Sequence, residues 1–340
     1  MEDIRASGGF LEDSIQHITP QAVKNNGLFE KGSIIMATTA TIGVHAQLIA
    51  DSLANQQFTN FLIRKSLRER IIAKYVYYAF FGIDEWAIKN TNSGGLLSVN
   101  MPLLLKQPFF VPSLPEQRAI ASYFTSLDAQ IAASTSRLSS LKQIKAASLL
   151  NMFPQKGETV PRVRFKGFQG EWKEIKLGEI FSVEIGEFVI KTKQKNNALY
   201  PVYNGGVSNT GFYDCYNQEG PKIIVSARGA NAGYVNYCTT DFWAGNSCYS
   251  IGAKNNDELK FFFYFLKRFQ EIYMKNQYSA SIPSISKQQI LRTNLMYPSL
   301  PEQRAIASYF TALDAQITLQ RERLEKLKQI KAACLEKMFA

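Results

Sequence analysis

One stretch of this chain is written twice, and whatever the chain folds into must accommodate both copies. Ser113–Phe153 and Ser299–Phe339 align without a gap, 186 residues apart, and are identical at 30 of 41 positions. A period of that length is too long for a solenoid of short repeats, so it marks one module used twice. Each copy reads as a helix. Ser113 with Glu116, and Ser299 with Glu302, have capping-box spacing, and Pro115 and Pro301 fall in the first turn, where a missing N–H costs nothing. Behind the caps runs a heptad line: Phe124, Leu127, Ile131, Leu138 and Leu141 in the first copy, Phe310, Leu313, Ile317, Leu324 and Leu327 in the second. So narrow an apolar seam predicts a coiled coil. Each helix would be on the order of 55 Å long. The first copy is rich in Ser and Thr where the second carries QRERLEKLK, so the first is the weaker helix former and is expected to lean on the second.

What lies between the copies is also paired, more loosely. GSIIMATTATIGV (32–44) and KIIVSARGANAGYVN (222–236) share a design of strand, small polar turn and Gly. RERIIAKYVYYAFFG (68–82) matches the aromatic helix ELKFFFYFLKRF (258–269). SGGLLSVNMPLLLKQPFFVP (93–112) matches SASIPSISKQQILRTNLMYP (279–298) at the same offset as the helices. The predicted fold is therefore α+β: a domain over 1–112, a long helix over 113–153, a Pro/Gly-rich basic linker over 154–171, a second domain over 172–298 and a second long helix over 299–340. The first domain has no counterpart of WKEIKLGEIFSVEIG (172–186) before Gly8, so it is expected to start inside the fold or to take its opening strands from elsewhere. The second domain is entered at the end of one helix and left at the start of the other. Its entry and exit are neighbours only if the helices run antiparallel, which gives a pseudo-two-fold arrangement.

Composition narrows the function. The net charge of +11 and pI near 9.3 call for a polyanionic partner. The four cysteines show no CxxC pairing, and no apolar run is long enough to span a bilayer, which suits a cytoplasmic protein with no membrane partner. His17 and His45, the only histidines, stand in no nucleophile motif, and there is no GxxxxGK[ST] phosphate loop and no Pro-Pro-aromatic segment for a flipped base. No catalytic or metal-ligating set emerges.

Two domains, each followed by a nearly identical long helix carrying LPEQRAI, resemble the specificity subunit of type I restriction-modification systems. PRVRFKGFQGEWKEIKLGEI (161–180) also resembles the opening of that family's target-recognition domains. The resemblance implies a non-catalytic subunit that reads a split target on double-stranded DNA, one half per domain. Its helices would act as a spacer that docks methyltransferase (modification) subunits, and a restriction/motor subunit would complete the complex. It implies no cofactor on this chain, with S-adenosylmethionine, ATP and Mg held by partner subunits. A scaffold whose globular ends bind protein is the alternative, and retention on DNA that weakens steeply with salt separates the two.

Base edges and phosphates are read by hydroxyls, amides and cations. The candidate DNA contacts are Thr38, Thr39, Thr41, Asn55, Gln56, Gln57, Ser93 and Asn100 in the first domain. In the second they are Asn204, Ser208, Asn209, Arg228, Asn231, Asn246, Ser279, Ser281, Ser284 and Lys287. Arg228 stands out because RGANAG sets a long cation among small residues. Lys142, Lys145, Lys328 and Lys331 recur in both helices, as a DNA-facing row or as a solvated face.

Overall fold

The computed structural model describes residues 2–339 except 20, 22, 24–27, 93, 94, 96, 254–257 and 276–281. They form two units, residues 1–138 with 320–340 and residues 139–319. Each unit takes one globular region, the start of its own long helix and the far half of the other.

The first unit contains α1 (Glu2–Ala6), β1 (Phe10–Leu11), β2 (Ile34–Ala37), β3 (His45–Leu48), β4 (Phe58–Phe61), α2 (Ala73–Lys89), β5 (Thr91–Asn92), β6 (Ser98–Val99), α3 (Met101–Leu104) and the start of α4 (Leu114–Asn151). Its sheet has the order β1-β3-β2-β4, with β1 parallel to β3 and the other pairs antiparallel. The strands β2 and β3 are buried on both faces; β2 accordingly reads as an unbroken apolar run, Ile-Ile-Met-Ala, while β3 buries the polar side chains of His45 and Gln47 beside Ala46 and Leu48. Ile34 and Met36 face α2, while Ile35 packs with Ile4, Leu11, Ala46 and Leu48 on the opposite side. His45 is buried; its Nε2 donates to the Tyr77 carbonyl and its Nδ1 meets Asp84, a core position with no access for chemistry.

The second unit contains the rest of α4, then β7 (Lys173–Lys176), α5 (Leu177–Ile180), β8 (Phe181–Ile185), β9 (Tyr200–Tyr203), β10 (Gly211–Tyr213), β11 (Lys222–Ser226), β12 (Val235–Cys238), β13 (Trp243–Ala244), β14 (Cys248–Ala253), α6 (Leu259–Lys275), α7 (Lys287–Leu291), β15 (Asn294–Tyr297) and the first half of α8 (Leu300–Phe339). Here the sheet order is β12-β11-β14-β8, all antiparallel. The first three strands repeat β3-β2-β4 of the first unit, and α6 repeats α2. The other sheet face is covered by β10-β9-β13 instead of by residues near the N-terminus. The stretch 154–171, expected as a linker, is tied down: Arg164 donates from Nε and Nη2 to both carboxylate oxygens of Glu302 at 2.8 Å, and Glu302 is 1% exposed. That pairing also corrects the expected cap, because the Glu302 carboxylate serves Arg164 rather than the helix start.

Helix pairing is antiparallel within each unit. In the first, Phe124 stacks on Phe339, Lys331 pairs with Asp128 at 2.6 Å, and Gln320 donates to the Ser134 carbonyl. In the second, Phe310 stacks on Phe153, Lys145 pairs with Asp314, and Ser148 bonds Tyr309. The ring stacks and the Lys–Asp pairs are the same contacts at the repeat offset, and Ser148 with Tyr309 is matched by Cys334 with Tyr123. Tyr78 donates to Asp128 and Tyr264 to Asp314, both at 2.9 Å, and each ring lies against a buried Phe of its own unit's long helix. Burial, first, and the neighbouring aspartate raise both tyrosines well above the usual phenol range, so they stay neutral donors. Of the seam residues, Phe124, Leu127, Leu138, Leu141, Phe310, Leu313, Ile317 and Leu324 are buried, and Ile131 and Leu327 half-buried. Lys145 and Lys331 are thus ion-pair partners inside their units rather than members of a free basic row. Among the described residues no helix is long and apolar enough to cross a membrane.

Candidate nucleic-acid interface

Each sheet presents one tight turn at the same place. In the first unit it joins β2 to β3. Its backbone is held from two sides: Thr38 N–H donates to the Gln57 carbonyl, while Ala40 N–H donates to the Leu97 carbonyl and Val99 N–H to the Thr38 carbonyl. In the second unit the β11–β12 turn is held identically. Ala227 N–H donates to Ser247, Gly229 N–H to Pro283 and Ile285 N–H to the Ala227 carbonyl. The bridges Thr39↔Ser98 and Arg228↔Ser284 complete the match. The turn needs a left-handed residue at one fixed position, filled by Gly229 (φ 90°) in the second unit and by Ala40 (φ 63°) in the first. Ala40 is the one described non-glycine with positive φ, so the first unit carries a strain that the second avoids.

The framework sorts the candidate residues. Around the second turn it gathers Asn204, Ser208 and Asn209 from the β9–β10 loop, Arg228 and Asn231 from the turn, Asn246 from the β13–β14 connection, and Ser284. Gly205 brings the loop against the turn: a Cβ there would lie 2.9 Å from the Arg228 carbonyl oxygen. Ser226 Oγ also donates to the Gly206 carbonyl at 3.0 Å. Arg228, Ser208 and Lys287 are exposed and Asn209 is half-buried, and the Arg228 guanidinium and Lys287 ammonium have no partner among the described residues. In the first unit Thr41, Asn55, Gln56 and Gln57 are exposed and Thr39 is half-buried beside Ser98.

Three candidates do structural work instead. Thr38 is 5% exposed and its hydroxyl shares a 2.8 Å hydrogen bond with Thr59, because the strand's inward face continues one residue into the turn. Asn100 caps α3 by accepting from Leu103 N–H. Asn204 is half-buried and its Oδ1 accepts the Ser247 N–H at 3.2 Å, fixing the loop on which its neighbours stand. Asn55 likewise accepts from Gln57 N–H, which leaves only its amide group free. Ser93, Ser279 and Ser281 lie outside the described residues.

The sequence reading missed two features. Ser98 holds the place in the first unit that Ser284 holds in the second, and the repeat offset alone would have paired them. The other is a cleft of about 410 Å³ in the second unit, where Phe188, Lys193 and Trp243 come together and Lys195 meets Asp214. Phe188 is 72% exposed. An exposed ring beside a cation, here Lys193, is the combination that holds unstacked bases. Three successive lysines at alternate positions (191, 193, 195) were its sequence signal.

The described residues form a two-unit α+β chain with paired helices and one turn framework built twice. Residues 4–143 and 169–329 match the type I restriction modification DNA specificity domain, so the chain belongs to that family. It is 26% identical over 345 residues to the specificity subunit of the type I restriction enzyme EcoprrI of Escherichia coli, across 98% of this chain and 83% of that protein. Its fold is similar to the crystal structure of the type I restriction-modification S subunit from M. genitalium, with TM-score 0.69, 20% identity, and 98% of this chain and 88% of that one covered. A second solved chain, from work on complex assembly and conformational transition of the type I R-M system, matches with TM-score 0.59, 18% identity, and 99% and 89% covered. Specificity subunits recognise DNA and carry no catalytic activity of their own.

Proposed function

We propose that the chain reads a bipartite DNA target, one half through the β2–β3 turn and its neighbours and the other through the β11–β12 turn, and that its long helices position methyltransferase and restriction subunits. The carrying observation is that one backbone framework is built twice while its outward side chains differ: Thr39 and Thr41 in one unit, Arg228 and Asn231 in the other. A constant frame with variable tips is what reading two different half-sites requires, since phosphate contacts fix register and tip residues discriminate bases. Arg228 is the base or phosphate contact of the second half, with Ser208, Asn209 and Lys287 around it. Thr39, Thr41, Gln56 and Gln57 serve the first. S-adenosylmethionine, ATP and Mg belong to partner subunits on this reading, and the complex works in the cytoplasm on double-stranded DNA.

The test is methylome sequencing of cells that express the chain with its modification subunit, before and after residues 172–298 are exchanged for those of another family member. The expected result is a split motif in which the exchange alters one half. A change in both halves, or in neither, overturns the assignment of one half-site to each unit.

A further inference from the structure

The cleft lined by Phe188, Lys193 and Trp243 belongs to the second unit, and the β11–β12 turn makes no use of it. Its volume of about 410 Å³ falls among pockets that take small organic ligands, about 300–1,000 Å³. One wall is the chain just after β8. There Val189 is buried against Val202 and Tyr213, so its neighbours Phe188 and Ile190 face water. Tyr213, itself buried, fixes this wall: its hydroxyl accepts the Ile190 N–H at 2.7 Å and donates to the Ile190 carbonyl at 2.9 Å. Trp243 lies edge-on to the Tyr213 ring, 5.1 Å between centres. Lys195 is spent on Asp214, whereas the Lys193 ammonium has no partner among the described residues. No ring among them contacts Phe188.

The cleft adjoins the turn that carries Arg228. Glu187 N–H donates to the Ala244 carbonyl at 2.8 Å, which ties the wall to β13. The next residue along, Gly245, lets the wall and the β9–β10 loop meet: a Cβ there would run into both Val189 and Asn204. Gly205, beside Asn204, is the residue packed against the Arg228 carbonyl. A bare ring face and a free ammonium match the two parts of a nucleotide, a planar base that stacks and a phosphate that pairs with a cation. A base inside a duplex has both faces covered by its neighbours, so the ring can take one only after it leaves the stack.

We propose that this cleft holds one nucleotide out of the base stack beside the second half-site, with its base on Phe188 and its phosphate on Lys193. The inference rests on the DNA-reading role given to the second unit above. Extruding a paired base costs a few kcal/mol, and a base without a partner costs least.

The test gives the full chain, without other subunits, two probes of one arbitrary sequence: a short paired duplex and the same duplex with one extra, unpaired thymidine. The readout is the ratio of the two affinities at a fixed salt concentration. The parent chain should prefer the bulged probe about tenfold, or about 1.4 kcal/mol, which one base on one aromatic ring can supply. Phe188→Ala should bring the ratio to about one, and Phe188→Tyr, which keeps the ring, should preserve the preference. Arg228→Ala should weaken both probes and leave the ratio as it was. Amide hydrogen exchange at 187–195 should slow more with the bulged probe than with the paired one. A ratio near one on the parent chain, with salt-dependent binding to both probes, overturns the inference and leaves the DNA-reading role standing. A preference that survives Phe188→Ala also overturns it, because the gain would then come from the flexibility of bulged DNA. So does equal slowing at 187–195 by free thymidine monophosphate, which would make the cleft a site for a loose nucleotide, or by the modification subunit without DNA, which would make it a protein seat. Failure to bind either probe overturns the role itself and this inference with it.

Discussion

The two units share their interior and differ at their surfaces. The Tyr–Asp–Lys sets Tyr78·Asp128·Lys331 and Tyr264·Asp314·Lys145 are the same arrangement, and so are the stacks of Phe124 on Phe339 and Phe310 on Phe153. The turns keep their backbone bonds and change their tips. Close packing explains the first: a buried ring or ion pair can be replaced only at the cost of its whole set of neighbours, so both halves of each set move together or not at all. A side chain that points into water carries no such constraint, and there the units have diverged. One internal difference is informative. Position 81 is Phe in the first unit and its counterpart is Lys267 in the second, where the ammonium donates to the Val235 carbonyl and Gln270 and lies 3.9 Å from the Tyr234 ring centre. Burial first, and Lys145 second, hold Lys267 down to about 8.

The strongest way to break the likeness is to remove the shared rings. Phe124→Ala and Phe310→Ala each delete a fully buried phenyl and should each cost about 3–5 kcal/mol. Denaturant unfolding checks the size, and hydrogen exchange should show protection lost in α2 for the first and in α6 for the second. Costs that differ by more than about 2 kcal/mol would mean the two cores are not equivalent, given the usual spread at fixed chemistry.

Next comes a pair whose effects should diverge. Glu302→Ala strands the Arg164 guanidinium in a site only 15% exposed and should cost about 3 kcal/mol. Glu116→Ala, at the matching place in the first unit, removes an exposed carboxylate and should fall within about 0.5 kcal/mol of the parent. Equal losses from the two would show that Glu116 already has a partner in solution.

At the turns, Arg228→Ala should weaken binding to the target by about 1–3 kcal/mol and relax one base position. Thr39→Ala in the other unit should cost about 0.5–1.5 kcal/mol, the range of a single neutral hydrogen bond. Competition binding at one fixed salt concentration, with single-base variants of each half, measures both. A uniform loss on all sequences with a shallower salt slope would reassign Arg228 to a phosphate.

The lysine exception gives a pH test. The folded value of Lys267 lies below that of the unfolded chain, so the unfolded state binds more protons between about 8 and the ordinary lysine range. Its burden on the fold is present in full below pH 8 and fades as pH rises. Lys267→Met should therefore gain about 1 kcal/mol at pH 7, after the loss of two hydrogen bonds, and the gain should vanish by about pH 10. A gain that is flat with pH would mean the amine is not the cause. The smallest effect is expected from Ala40→Gly, which gives the first turn the residue type that the second already has. Relief of the left-handed backbone, less the entropy of an added glycine, should stabilise by about 0.5 kcal/mol in thermal unfolding.

Much of this was legible in the chain as a string. The near-identical stretches announced two long helices, the heptad line predicted which of their residues face inward, and the offset matched each turn to its counterpart, because local periodicity and internal repetition are properties of sequence alone. The antiparallel pairing followed from chain connectivity. Three things depended on contacts between residues far apart. The reading could not say whether Lys145 and Lys331 were free or paired, since their aspartates lie on the other helix. Thr38 looked like a turn residue and is a core residue, because strand β4 supplies Thr59 to its hydroxyl. The stretch 154–171 read as a Pro/Gly-rich basic linker and is packed, because Arg164 finds a buried carboxylate more than a hundred residues away. Sequence determines which residues can form helices, strands and turns; which polar groups are spent inside the fold and which remain to meet a partner is decided only when distant segments come within hydrogen-bonding distance.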